Sequence, residues 1–118
     1  MTGRFCILVI EADAGLRQLF KVLFEEYLTF FPETPWEAHR LLREARYDLL
    51  ILDEDSGDLR RRWGFSTRPS GPTLLIAPDR PVNAPPPDAP PRLALPKPFA
   101  VQEVLNFVKA IHTAWSAP

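Results

Sequence analysis

Cysteine, glycine and long hydrophobic runs are all scarce in this 118-residue sequence. The single cysteine, Cys6, excludes an internal disulfide and a cysteine-rich zinc site. It lies within the apolar stretch FCILVI, where a small core residue is expected. Only five glycines are present, and no glycine-rich phosphate loop follows any predicted strand. No apolar run approaches the ~20 residues of a membrane span, so we expect a cytoplasmic protein without membrane contact.

Charge of one sign is also lacking, because the formal net charge is −1 at pH 7. Nucleic acids and anionic membranes attract strongly basic proteins, so neither is expected as a partner. Hydrophobic residues make up 46% and charged residues 25% of the chain, which is the usual balance of a globular protein. The length predicts one domain over 1–118 with one modest core.

Proline, in contrast, is abundant. The chain has 14 prolines, and nine of them fall between Pro78 and Pro98. A helix cannot pass through PVNAPPPDAPP, because each proline lacks an amide donor and clashes with the preceding turn. The sequence therefore predicts a proline-rich loop over about 78–92.

Five short apolar runs have the length of strands buried on both faces of a sheet. They are 5–10, 28–31, 48–52, 72–77 and 92–95. Amphipathic helices are predicted between or after them, over about 14–27, 34–45 and 100–115. This alternation predicts a five-stranded parallel sheet with helices on both faces, a flavodoxin-like α/β sandwich. The proline-rich loop takes the place of a fourth helix.

The second predicted helix has clear start signals. Thr34 suits the N-cap, Pro35 the first helical position, and Glu37 the position that completes a capping box. Its buried stripe is predicted to hold Trp36, Leu41, Leu42 and Ala45.

Ionisable residues follow three of the predicted strands. Glu11 and Asp13 follow the first strand, Asp53 ends the third with Asp55 just beyond, and Lys97 follows the fifth. The carboxyl ends of parallel strands share one edge of the sheet, where ligands gather. Carboxylates can hold a hard divalent cation there, and a lysine can pair with phosphate oxygens. A salt bridge between Lys97 and Asp53 is also expected.

These motifs resemble the response regulator receiver domain, the CheY-like module of two-component signalling. The resemblance covers nearly the whole chain and rests on four motifs in family order. They are ILVIEADAGLRQLF, EEYLTFFPETPWEAHRLLREARYDLLILDED, PTLLIAPD and LPKPF.

The resemblance implies a role for each acid and for the lysine. Asp53 matches the aspartate that accepts phosphate from a histidine kinase, and Lys97 matches the lysine that contacts the acyl phosphate. Glu11 matches an acid that reaches Mg²⁺ through water, and Asp55 matches a position whose backbone carbonyl coordinates the metal. Asp13, or Glu11 with its longer side chain, is expected to substitute for the direct Mg²⁺ ligand that position 12 lacks. Mg²⁺ is the implied cofactor.

Three alanines depart from the family pattern. Ala12 stands where the family has a direct Mg²⁺ ligand. Ala77 replaces the hydroxyl residue that binds the phosphoryl group, and Ala94 replaces the aromatic residue that swings inward on activation. A ligand shifts an equilibrium only through different affinities for the two states, so the usual switch is expected to be lost. The family also implies a cis peptide bond at Lys97–Pro98.

Three hypotheses for function follow. The first is an atypical, non-enzymatic receiver domain that signals by protein contact, with phosphorylation-dependent switching weakened or lost. The second is a working phosphoacceptor at Asp53 with a rearranged Mg²⁺ site. The third is a small flavodoxin-like enzyme or nucleotide binder, which the fold class permits.

The last predicted helix bears on partners. Phe107, Ile111 and Trp115 make it unusually apolar, and exposed apolar patches often mark interfaces. Core packing and an interface are both open, and the interface would serve a homodimer or a protein partner. A histidine kinase or a downstream signalling protein is the expected partner. His112, on the same helix, is expected on the surface.

Overall fold

The computed structural model describes residues 4–44, 46–53, 71–76 and 91–116. Within these ranges the strands are β1 (Cys6–Ile10), β2 (Leu28–Phe30), β3 (Leu49–Asp53), β4 (Thr73–Ile76) and β5 (Arg92–Leu95). The helices are α1 (Ala14–Leu23), α2 (Pro35–Glu44) and α3 (Val101–Ser116). The strands form one parallel sheet in the order β2-β1-β3-β4-β5.

The five-stranded parallel α/β fold predicted from the sequence is therefore confirmed. Most of the proline-rich loop that the sequence predicts in place of a fourth helix lies outside the described residues, as do Asp55 and Ala77. No helix in the described part of the chain combines the length and apolarity needed to cross a bilayer.

Both faces of the sheet are buried, as the continuous apolar strands predict. One face packs against α1 and α3 and forms the larger core. Its members include Ile7, Val9, Phe20, Phe24, Leu49, Ile51, Leu74, Ile76, Val104, Val108 and Ile111. The other face packs Leu8, Ile10 and Leu50 against Ala38 of α2. Burying each such large side chain contributes about 1.5–3 kcal/mol.

Helix α1 ends at Leu23, four residues before the predicted end. The chain then turns: the Phe24 amide donates to the Phe20 carbonyl at 3.0 Å and the Tyr27 amide to the Phe24 carbonyl at 2.9 Å. This turn lets the Leu28 amide donate to the Phe5 carbonyl at 3.1 Å, which starts the pairing of β2 with β1. Tyr27 keeps its apolar contact with the core without being helical.

Helix α2 confirms its predicted cap and corrects its predicted stripe. The Glu37 amide donates to Thr34 Oγ1 at 3.1 Å. The prediction that Trp36 lies in the core is wrong, because 73% of it is exposed, and Ala45, the last predicted member of the stripe, lies outside the described residues. The small Ala38 is fully buried instead, and Leu41 and Leu42 pack beside it. The helical face that meets the sheet is set by these three positions, and Trp36 lies away from it.

Aromatic rings close the end of the sheet where β1 begins. The His112 ring lies 5.0 Å from that of Phe5, 5.2 Å from Tyr27 and 5.7 Å from Trp115, measured between centroids. His112 is therefore half-buried in a cluster of aromatic rings. Its isolated position in the sequence predicted an open surface position, and the structure corrects this.

Candidate functional site

Strand register brings Glu11 and Asp53 side by side. Ile10 of β1 is the partner of Leu52 of β3, and Glu11 and Asp53 are the next residues along the two chains. Both acids are buried, with exposures of 3% and 0%. The sequence predicted that these acids meet at the carboxyl edge of the sheet, and the parallel pairing of β1 with β3 is the reason that they do.

Lys97, which follows the border strand β5, reaches the same carboxyl edge of the sheet. Its Nζ lies 2.7 Å from Oδ2 of Asp53, so the predicted salt bridge is present. The Asp53 side chain is 1% exposed and that of Lys97 29%. Lys97 follows β5, and the Lys97–Pro98 peptide bond is cis, as the resemblance implies. An isolated buried carboxylate is costly, and the ammonium group of Lys97 offsets that cost.

Asp13 has a local task that the sequence reasoning missed. Its Oδ1 accepts the Leu16 amide hydrogen at 3.0 Å, which makes Asp13 the N-cap of α1. Its own amide donates to Glu11 Oε2 at 3.1 Å. An aspartate just before the first helical residue is the usual N-cap signal, so the sequence contained the information.

The described residues do not by themselves fit a complete Mg²⁺ site. Glu11 and Asp53 supply two carboxylates, Asp13 caps a helix, and the exposed Ala12 offers no side-chain ligand. No group of three His, Cys, Asp or Glu side chains in the described ranges is arranged to hold a metal ion. Asp55 lies outside those ranges, so the metal site with Asp55 stays a prediction.

Of the other departures from the family pattern, Ala94 can be placed. It lies in β5 opposite Leu75 of β4 and is half-buried. A methyl group at this position cannot sweep between two orientations as an aromatic ring does. The second departure, Ala77, lies outside the described residues.

Arg17 was not singled out from the sequence, yet it connects two loops beside the acids. Its Nη1 donates to the carbonyls of Glu11 at 3.2 Å and Pro32 at 2.9 Å, and its Nη2 donates to the Phe31 carbonyl at 3.2 Å. An open cleft beside these contacts is lined by Glu11, Ala12, Ala14, Arg17, Pro32 and Glu33. Backbone carbonyls leave no mark in an amino-acid pattern, so no sequence signal could have identified these partners.

The chain resembles known proteins in its fold. No family model matches the sequence, and no curated protein matches it. Solved structures do match. A two-component response regulator from Clostridium difficile has a TM-score of 0.67 at 21% identity, covering 97% of this chain and 100% of its own. A response regulator receiver protein from Sinorhizobium medicae has a TM-score of 0.66 at 20% identity, covering 94% and 96%.

The chemotaxis protein CheY4 of Vibrio cholerae is also similar, with a TM-score of 0.62 at 16% identity, and the match covers 92% of this chain and 99% of that one. The chain has the receiver-domain fold. In this receiver fold, the buried Asp53, its neighbour Glu11 and Lys97 occupy the carboxyl edge of the sheet. The resemblance seen in the four sequence motifs therefore extends to the fold at nearly full length.

Proposed function

We propose that this receiver-fold chain is a signalling module that acts by protein–protein contact, with phosphorylation-dependent switching weakened or lost. One observation carries the proposal. The Lys97 ammonium group lies 2.7 Å from the Asp53 carboxylate, which is 1% exposed. The ion pair offsets the charge of this carboxylate, and burial shields it from solvent, so a phosphoryl donor has little access to it.

Two further features support loss of the switch. The Ala12 position provides no carboxylate for a metal ion, although a bound cation would have to offset the charge of an incoming phosphoryl group. A missing hydrogen bond to a charged phosphoryl oxygen, as expected at Ala77, is worth about 1.5–3 kcal/mol. Without these interactions, phosphorylation would change the free-energy difference between the two conformations of the domain very little.

Chemical phosphorylation tests the proposal. The protein is incubated with acetyl phosphate and Mg²⁺, and its intact mass is measured. We expect no stoichiometric phosphoryl addition. The control variant is Glu25→Gln, which removes an exposed carboxylate from the turn before β2. Stoichiometric labelling that persists in Glu25→Gln and is lost in Asp53→Asn would overturn the proposal.

The second candidate is a working phosphoacceptor at Asp53 with Mg²⁺ held by Glu11, Asp13, Asp53 and Asp55. The observation that favours it is the burial of Glu11 and Asp53 side by side, because paired acids suit a divalent cation. Calorimetric titration with Mg²⁺ separates the candidates. Saturable binding that Glu11→Gln and Asp53→Asn both abolish favours the second, and the absence of saturable binding favours the first.

We propose a histidine kinase or a downstream signalling protein as the class of partner. For contact between two copies of the chain we propose α3, on which Val101 and Trp115 are 36% and 41% exposed. Light scattering during size exclusion should give a dimer mass, and Trp115→Ser should lower it toward the monomer. A monomer mass for the unmodified protein at high concentration contradicts the dimer and leaves α3 to a different protein partner.

A further inference from the structure

Arg17 holds two loops at the carboxyl edge of the sheet. Its guanidinium donates to Glu11 in the turn after β1, and to Phe31 and Pro32 in the loop after β2. The planar guanidinium fork can donate to several acceptors in one fixed geometry, which an ammonium group cannot reproduce. The guanidinium also lies 5.9 Å from the centre of the Phe31 ring. Because the acceptors are backbone atoms, a movement of either loop must move the other or break these hydrogen bonds.

The two loops lead to different places. Glu11 is the buried acid next to Asp53, and its Oε2 accepts the Asp13 amide hydrogen, so the turn after β1 is held from inside as well. On the other side, Pro32 lies two residues before Thr34, the residue whose hydroxyl caps α2. Trp36 follows within the first turn of that helix.

We infer that Arg17 is a positioning residue that couples the state of the Asp53–Lys97 pair to the start of α2. A change in charge at the pair acts first on Glu11, because the two carboxylates are neighbours in register and both are buried. The Glu11 carbonyl, the guanidinium, and the carbonyls of Phe31 and Pro32 then form a continuous path of hydrogen bonds and covalent bonds to α2. This inference rests on the proposed function, since it assigns a readout to the same pocket.

The route gives the exposed Trp36 a role that core packing does not. Its side chain is 73% exposed, and the Arg40 guanidinium lies 5.5 Å from the ring centre. A movement at the start of α2 therefore changes the surroundings of the Trp36 indole without a change in core packing. The path uses neither Ala77 nor Ala94.

The coupling can be measured without phosphate, metal or partner. Lys97→Gln changes the charge of the pocket, and amide and indole NMR signals report the response of residues 33–37. We expect these signals, including the Trp36 indole, to shift with Lys97→Gln. In an Arg17→Gln background the same Lys97→Gln change should shift signals near Asp53 only, and the shift at residues 33–37 should be lost.

Two further variants test whether the coupling depends specifically on the Arg17 guanidinium. Lys21 lies over the same Phe31 ring at 5.4 Å, so Lys21→Gln removes a neighbouring cation of α1 and should leave the coupling intact. Arg17→Lys keeps the charge but not the fork, and should lose the coupling while keeping the fold. Its NMR spectrum and thermal unfolding show whether the fold is kept, should Arg17→Gln not fold.

Three results would overturn the inference: no shift at residues 33–37 in the unmodified background, a shift that persists in both Arg17 variants, or full coupling in Arg17→Lys. Coupling without phosphoryl labelling or partner binding leaves the inference standing, since Lys97→Gln alone supplies the perturbation. Stoichiometric phosphoryl labelling contradicts the proposed function, whereas the absence of a shift at residues 33–37 contradicts the coupling. The two failures are therefore measured separately.

Discussion

At the scale of single residues, the Asp53–Lys97 pair is the feature from which the account starts. Asp53 is fully buried, whereas Lys97 is partly exposed. A buried ion pair adds little net stability against an apolar replacement, yet removing one partner leaves an uncompensated charge. The pair is therefore a sensitive point of the fold whether or not it carries a signal.

This asymmetry gives a stability prediction. Lys97→Gln should lower the free energy of unfolding by about 2–3 kcal/mol, less than the ~3–5 kcal/mol for a fully buried pair because solvent reaches Lys97. Asp53→Asn combined with Lys97→Gln should recover part of the loss, since no buried charge then remains. Chemical denaturation of the single and double variants measures both. If the two single losses simply add in the double variant, the pair does not interact as described.

Cys6 gives a second prediction at this scale. Burial, and secondarily the neighbouring charge of Asp48, raises the pKa of its thiol from 9.0 to about 11. The folded protein should therefore not react with a disulfide reagent at neutral pH, whereas the denatured protein should react fully. Fast reaction of the folded protein would contradict the burial of Cys6.

The same shift fixes the direction of a pH dependence. The unfolded thiol loses its proton at lower pH than the folded one, so the contribution of Cys6 to stability is complete below pH 9.0 and falls as the pH rises to about 11. Cys6→Ala should remove this part of the alkaline loss of stability. Unfolding curves across that range compare the two proteins, and identical slopes would contradict the assignment.

At the scale of elements, the helix starts depend on single side chains. Asp13 caps α1 and Thr34 caps α2 through hydrogen bonds of 3.0 and 3.1 Å. Asp13→Ala should cost about 1 kcal/mol of stability, and Asp13→Ser should cost much less because serine also caps well. Thermal unfolding compares the two. If Asp13→Ser is as damaging as Asp13→Ala, the carboxylate has a task other than capping.

The helices and strands also show which parts of the fold can be predicted from the sequence. Apolar runs predicted all five strands, and Thr34 predicted the start of α2, because both depend on residues close together in the chain. Trp36 was misplaced because hydrophobicity alone does not say which helical face meets the sheet. The end of α1 was misplaced because Phe24 turns the chain toward β2, and that pairing involves Phe5, far away in the sequence.

The candidate site also contains some residues that the sequence predicts and others that it does not. Glu11, Asp53 and Lys97 were predictable, since strand ends in a parallel sheet must share an edge. Arg17 was not, because its partners are carbonyls of two separate loops. The cap by Asp13 was readable from the sequence, but its position among other acids favoured a metal ligand.

At the scale of the whole molecule, the two ends of the sheet differ in chemistry. The carboxyl edge gathers the buried acids Glu11 and Asp53, the partly exposed Lys97 and the hydrogen bonds of Arg17. The opposite end is closed by rings, among them Phe5, His112 and Trp115. Apolar packing therefore holds α3 at one end, and the groups that could respond to a charged ligand lie at the other.

The most direct test of the account is the response of the whole molecule to a phosphoryl mimic. Amide NMR spectra are recorded with Mg²⁺ while beryllofluoride is added. If the switch is lost, signals of β4, β5 and α3 should not change in a saturable way. Saturable changes that spread through these elements and disappear in Asp53→Asn would contradict the account.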